Sequence, residues 1–168
     1  MKRNRIISHI IEQLQEVQNG KLWMGDTFMK KLDSITAEEA FIRPLPNLHS
    51  VAELIAHLTA WKKDAFLKVR NGKGILTADD GGNWPSIQVL KEIGWEKLIE
   101  EYENSHLNLV NVLQEKEDTF LQEPYEDQDF KNTFSYSFLI DGILHHDLYH
   151  LGQIGVVIKL IKEKSNTQ

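Results

Sequence analysis

His146 and His150 stand four residues apart in His145-His146-Asp147-Leu148-Tyr149-His150. On a helix that spacing puts both imidazoles on one face, about 6 Å apart along the axis, where they can bind one divalent metal ion. Leu139, Ile143, His146, His150, Gln153, Val157 and Leu160 recur in alternating steps of four and three, the pattern of the inward stripe of a bundle helix. Polar side chains on such a stripe lose their water, so each needs a hydrogen-bond, charge or metal partner. A metal is the simplest single partner for two of them; the alternative is a pair of core histidines bonded to backbone or carboxylate.

His57 is the expected third ligand. Among the seven histidines it is the only other one in the middle of a long helical segment beside an apolar face, with Leu54 and Trp61 one turn away on either side. Three histidines would leave a position open for water or substrate, as in a catalytic metal site. The chain has no cysteine, which removes disulfides, thiolate ligands and a cysteine nucleophile. Imidazole donors plus water suit Zn, Ni or Fe, one ion per chain. Asp147, Tyr149 and Gln153 are the candidates to orient an imidazole or move a proton beside the metal. Glu53 and Asp64 are read as carboxylates on a solvated face, and His9 and His49 as solvated or capping residues. His145 is rotated by about 100° from His146 and is expected at a surface, an interface or beside the ligands.

Other named sites fit less well. His146-Asp147-Leu148-Tyr149-His150 lacks the glutamate that serves a zincin as general base. Glu103-Asn104-Ser105-His106 is half of a di-iron carboxylate signature, but its second copy would be Asp147 to His150, with an aspartate one methylene short. No serine sits in a nucleophile-elbow context and no glycine loop has phosphate-binding spacing.

Four long amphipathic segments must position these residues. Ile6, Ile7, Ile10, Ile11, Leu14 and Val17 mark helix one over about 4–19, stopped by Asn19-Gly20. A short turn within 22–35 and another after the capping box Thr36-Ala37-Glu38-Glu39 precede Pro44 and Pro46. Ser50-Val51-Ala52-Glu53 is a second capping box, opening helix two over about 50–70. The glycine-rich stretch 71–85 reads as a long mobile loop, the kind of segment that carries substrate contacts. A short helix over 86–92 leads to helix three, from Trp95 to about 116–118. Residues 123–132 form an acidic crossover, with a brief extended piece around Phe130 to Phe138, before helix four over about 137–163. The expected fold is all-α, a four-helix bundle with long crossover connections in a single domain over residues 1–168.

A chain of 168 residues can bury a continuous core without staples. The net charge of −6, with basic residues scattered among acidic ones, argues against a nucleic-acid footprint; the basic start Met1-Lys2-Arg3-Asn4-Arg5 reads as a solvated tail. Neither an export signal nor a membrane span is legible, so a cytoplasmic location is expected.

The stretches Leu48-His49-Ser50-Val51-Ala52-Glu53-Leu54-Ile55-Ala56-His57-Leu58-Thr59-Ala60-Trp61 and Asp141 to Ile154, in this order and at this separation, resemble the DinB/YfiT-like metalloenzyme family. The resemblance covers nearly the whole chain and implies a four-helix bundle, often homodimeric, with a divalent metal held by three histidines. Carried over, these are His57, His146 and His150. It also implies an activity among those of the family, which includes S-transferases using a low-molecular-weight thiol such as bacillithiol. An open-site metal would activate a thiol for attack on an electrophile, supplying the nucleophile that a cysteine-free chain lacks. The alternatives are a hydrolase with water in the same position and a non-enzymatic stress-response module with a structural metal.

Overall fold

A computed structural model of the chain describes residues 4–165; Met1, Lys2 and Arg3 of the basic start lie outside them. The elements in chain order are α1 (Arg5–Asn19), α2 (Phe28–Leu32), α3 (Ala37–Ala40), α4 (Val51–Asn71), α5 (Ile87–Ile93), α6 (Trp95–Gln114), a 3-10 turn (Asp118–Gln122), β1 (Pro124–Asp127), β2 (Asn132–Ser135) and α7 (Tyr136–Ser165). The four long helices α1, α4, α6 and α7 form the bundle expected from the periodicity.

Around the bundle, α4 packs chiefly on α6 and α7, and α1 on the same two, so α1 and α4 are diagonal neighbours, as are α6 and α7. Two connections therefore cross the bundle at opposite ends: residues 20–50, carrying α2 and α3, beside the C-terminus of α7, and residues 115–135 beside the N-terminus of α1. The second is more ordered than an acidic crossover. Its strands pair antiparallel, Pro124 opposite Ser135 and Asp127 opposite Asn132, and Tyr136 then opens α7 without a break.

Both predicted capping boxes are present. The Thr36 hydroxyl accepts from the Glu39 amide and that of Ser50 from the Glu53 amide, and each glutamate carboxylate accepts from the backbone N–H of its cap. At the other end of α4, Gly72 takes the left-handed conformation, φ 75°, that lets the helix stop and the chain turn back along it.

The buried face of α4 is much wider than its apolar series implies. Val51, Leu54, Ile55, Leu58, Ala65 and Val69 are buried, but so are Glu53, His57, Lys62, Asp64 and Lys68. The reason is that α6 and α7 take one side while residues 72–86 and the hairpin cover the other. Asp64, held by the amides of Ile75 and Leu76, and Glu53, held by Arg43 and Ser50 just before the helix, are each 2% exposed, not on a solvated face.

In α7 the burial is likewise rotated from the predicted stripe. Ile140, Leu144, Asp147, Leu151, Ile154, Ile158 and Ile161 are buried alongside Leu139, Ile143, His150 and Val157, whereas His146, Gln153 and Leu160 are half-buried. The histidine edge of the helix thus borders the core, and Asp147 points into it. Among the described residues, no helix is long and apolar enough to cross a membrane.

Candidate metal centre

Helix α4 supplies His57 and α7 supplies His146 and His150. Their Nε2 atoms converge: His146 Nε2 lies 3.0 Å from both His57 Nε2 and His150 Nε2. One ligand atom from each of the three lies within 4.8 Å of the others. His57 and His150 are buried and His146 half-buried.

The outer nitrogens decide what faces the centre. His57 Nδ1 is 3.2 Å from the Asn83 carbonyl, which can only accept, so Nδ1 carries the proton. His150 Nδ1 donates to Gln153 Oε1 at 2.6 Å. Both Nε2 atoms are therefore bare lone pairs turned inward. His146 could place one proton between them at most, leaving at least one lone pair facing another at close range. A cation at the point of convergence relieves that repulsion, so the three residues fit a divalent ion.

Electrostatics agree. Burial, with a smaller contribution from the neighbouring histidines, lowers His146 to about 3 and His150 to about 4, and burial lowers His57 as well. All three are neutral at pH 7, the form in which imidazole binds a metal. Behind them, Lys62 of α4 and Asp147 of α7 form an ion pair in which the two side chains are 1% and 2% exposed. Burial pushes the Asp147 carboxyl up while Lys62 opposes it. The pair ties α4 to α7 one residue past His146.

Residues 72–86 cover the centre. Asn83 gives His57 its backbone carbonyl, accepts from Trp61 Nε1 at 2.9 Å through Oδ1, and donates to the Ala78 carbonyl at 2.9 Å through Nδ2. Trp84 is then stacked between His57 and His49, its ring 3.9 Å from each, at 9° and 10°. His49 is thus part of a three-ring stack and not the solvated or capping residue expected. Asn83, Trp84 and Lys62 were not singled out from sequence. The only signal for the first two was their place at the end of the glycine-rich loop.

Of the remaining candidates, Gln153 orients His150 and Asp147 pairs with Lys62. Tyr149 is exposed, its ring edge-on to His150 with centroids 5.0 Å apart. His145 is exposed. The di-iron option is overturned: Glu103 faces solvent, His106 is buried without joining the triad, and among the described residues the one group able to hold a metal is His57, His146 and His150.

His57 and His146 also line a cavity of about 430 Å³. Trp61, Phe138, Leu139 and Ile143 form its apolar wall, so an ion at the centre would have an open side toward a substrate-sized space.

Comparison with curated proteins returns no match. The DinB superfamily model matches residues 23–154, from the loop before α2 through α4 and into α7 past His150. With more than half of its length matched, and an all-α bundle joining the three histidines, the chain belongs to the DinB superfamily.

Proposed function

We propose that the protein is a metal-dependent S-transferase that joins a low-molecular-weight thiol, such as bacillithiol, to an electrophile. The observation that carries this reading is a triad of neutral histidines, with no carboxylate or fourth histidine in its group, bordering a substrate-sized cavity in a chain without cysteine. A divalent ion held by His57, His146 and His150 would lower the pKa of a thiol brought to it.

The protein's own residues supply the setting. The Asn83 carbonyl and Gln153 hold the Nδ1 protons of His57 and His150, keeping both Nε2 atoms directed inward. Trp84 and Trp61 pack around His57 and hold its ring in place. In the overall reaction the thiol S–H bond breaks and its proton passes to solvent. A carbon–sulfur bond forms, and the leaving group departs with its bonding electron pair.

The test is metal analysis of untagged protein together with conjugate formation from bacillithiol and an electrophilic acceptor, followed by mass spectrometry. One divalent ion per chain, lost in His146→Ala, together with metal-dependent conjugation is the expected result. Metal-dependent hydrolysis of an ester or amide with no conjugate would instead favour activated water. A chain without a stoichiometric ion would remove both readings.

A further inference from the structure

The cavity beside His57 and His146 has four charged side chains in its wall, Asp64, Lys68, Asp127 and Asp129. Three of them, Asp64, Lys68 and Asp127, are paired with one another, and Asp129 is held by a backbone amide. Lys68 is buried and bridges Asp127 Oδ2 at 2.8 Å and Asp64 Oδ2 at 3.0 Å. Asp64 Oδ1 accepts from the amides of Ile75 and Leu76 at 2.6 and 2.9 Å. Asp127 Oδ1 accepts from the amides of Asp129 and Phe130 at 2.9 and 3.0 Å, and its Oδ2 from the Tyr125 hydroxyl at 3.2 Å. Asp129 Oδ1 takes the Ala78 amide at 2.8 Å. Trp61 turns its one polar group, Nε1–H, to Asn83.

This network ties residues 72–86 and the β-hairpin to α4 around the cavity, which makes the space preformed. It also leaves no unpaired cation in the wall to receive a carboxylate or phosphate. What faces the space is Trp61, Ala65, Phe130, Phe138, Leu139 and Ile143. Two of these are far from satisfied as apolar groups, with Phe130 65% and Phe138 50% exposed. Phe134 stacks on Phe138 at 4.4 Å and meets Phe130 edge-on at 5.7 Å, which holds the two rim rings in place.

We infer that this cavity is the acceptor subsite and that it selects an uncharged, apolar molecule, its body against Trp61, Phe130 and Phe138 and its reacting carbon toward the histidines. The assignment as an acceptor subsite rests on the transferase reading above; the selection for an uncharged apolar occupant does not. An anion would give up its water to a wall that offers no free cation, and a cation would find only the half-buried Asp129, whose Oδ1 already takes the Ala78 amide, whereas an apolar occupant covers exposed aromatic surface. A cavity of about 430 Å³ lies within the range of small-molecule sites, large enough for one or two rings.

Gly142 gives a clean way to test this. It lines the cavity on α7, and a Cβ placed on it would meet nothing within 4 Å. Gly142→Phe would bring a ring to the cavity from a position with room for its Cβ, and it replaces a helical glycine, so circular dichroism should show the helical fold retained. The probe is N-phenyl-1-naphthylamine, a neutral fluorophore, displaced by 4-phenylbutanol, 4-phenylbutyrate or 4-phenylbutylamine. Metal-stripped protein is used so that direct ligation by the acid or amine does not enter.

The expected result is displacement by the alcohol at concentrations about ten-fold or more below those of the acid and the amine. Probe binding would be lost in Gly142→Phe, with metal uptake unchanged. Equal or tighter binding of either charged analogue, or probe binding that persists in Gly142→Phe, overturns the inference. Because no conjugation is read, this outcome is separate from success or failure of the transferase assay.

Discussion

Removing the positive member of the buried Lys62–Asp147 pair should cost far more than removing the pair. In Lys62→Met the apolar stem is kept, packed near Phe28 and Tyr102, whose ring centroids lie 5.8 and 5.2 Å from Nζ in the native chain. Only the charge goes, and Asp147 is left 2% exposed with no cation. Leaving one buried charge uncompensated costs about 3–5 kcal/mol, whereas an apolar pair of similar volume is close to neutral or better. Lys62→Met should therefore lose about 3–5 kcal/mol at pH 7, and Lys62→Met with Asp147→Leu should recover most of it. Urea denaturation followed by tryptophan fluorescence measures all four corners of the cycle. A single variant within about 1 kcal/mol of the native chain, or a double variant no more stable than the single, would refute the claim that the two charges are buried and coupled.

Three further outcomes follow from the same geometry. Asn83→Ala removes the partners of Trp61 Nε1 and the Ala78 carbonyl and loosens the loop whose carbonyl orients His57; divalent-metal affinity should fall about ten- to hundred-fold in a competition titration, and an unchanged affinity would dismiss the orienting role. Lys68→Met leaves Asp64 and Asp127 without their shared cation, so hydrogen exchange should speed up in both 72–86 and the hairpin 124–135; acceleration in one alone would break the proposed link. Burial would raise the Glu53 carboxyl, but its hydrogen bonds from Arg43 and Ser50 outweigh that and hold it at about 2 against an ordinary 4.5. Its contribution is complete above pH 4.5 and is lost as pH falls from 4.5 toward 2, amounting to about 3 kcal/mol. The native chain should thus lose stability in that window more steeply than Glu53→Gln, and parallel curves would count against it.

Much of the fold could be read without coordinates because its signals are local. The apolar period of residues 6–17, the capping boxes at Thr36 and Ser50, and the stop after residue 71 depend on neighbours within about one helical turn. The i,i+4 histidine pair belongs to the same class, since one helix alone places His146 beside His150. The hairpin at 124–135 was less visible: two four-residue strands in an acidic stretch carry too little periodicity, and their pairing depends on the partner strand and the Tyr125–Tyr136 packing.

By itself the sequence determined four helices, the donor atoms available for a metal and the absence of thiols, all properties of residue type and short spacing. Tertiary structure alone decided that His57 of α4 meets α7 at 3.0 Å, that Trp84 closes over it, and that Glu53, Asp64 and Asp147 are buried. Periodicity reports the face a helix turns to its core, but not what a loop far along the chain lays over the opposite face. Nothing in the periodicity marks Lys62 and Lys68 for that reason, and the packing of α7, the hairpin and residues 72–86 against α4 makes them interior partners of three aspartates.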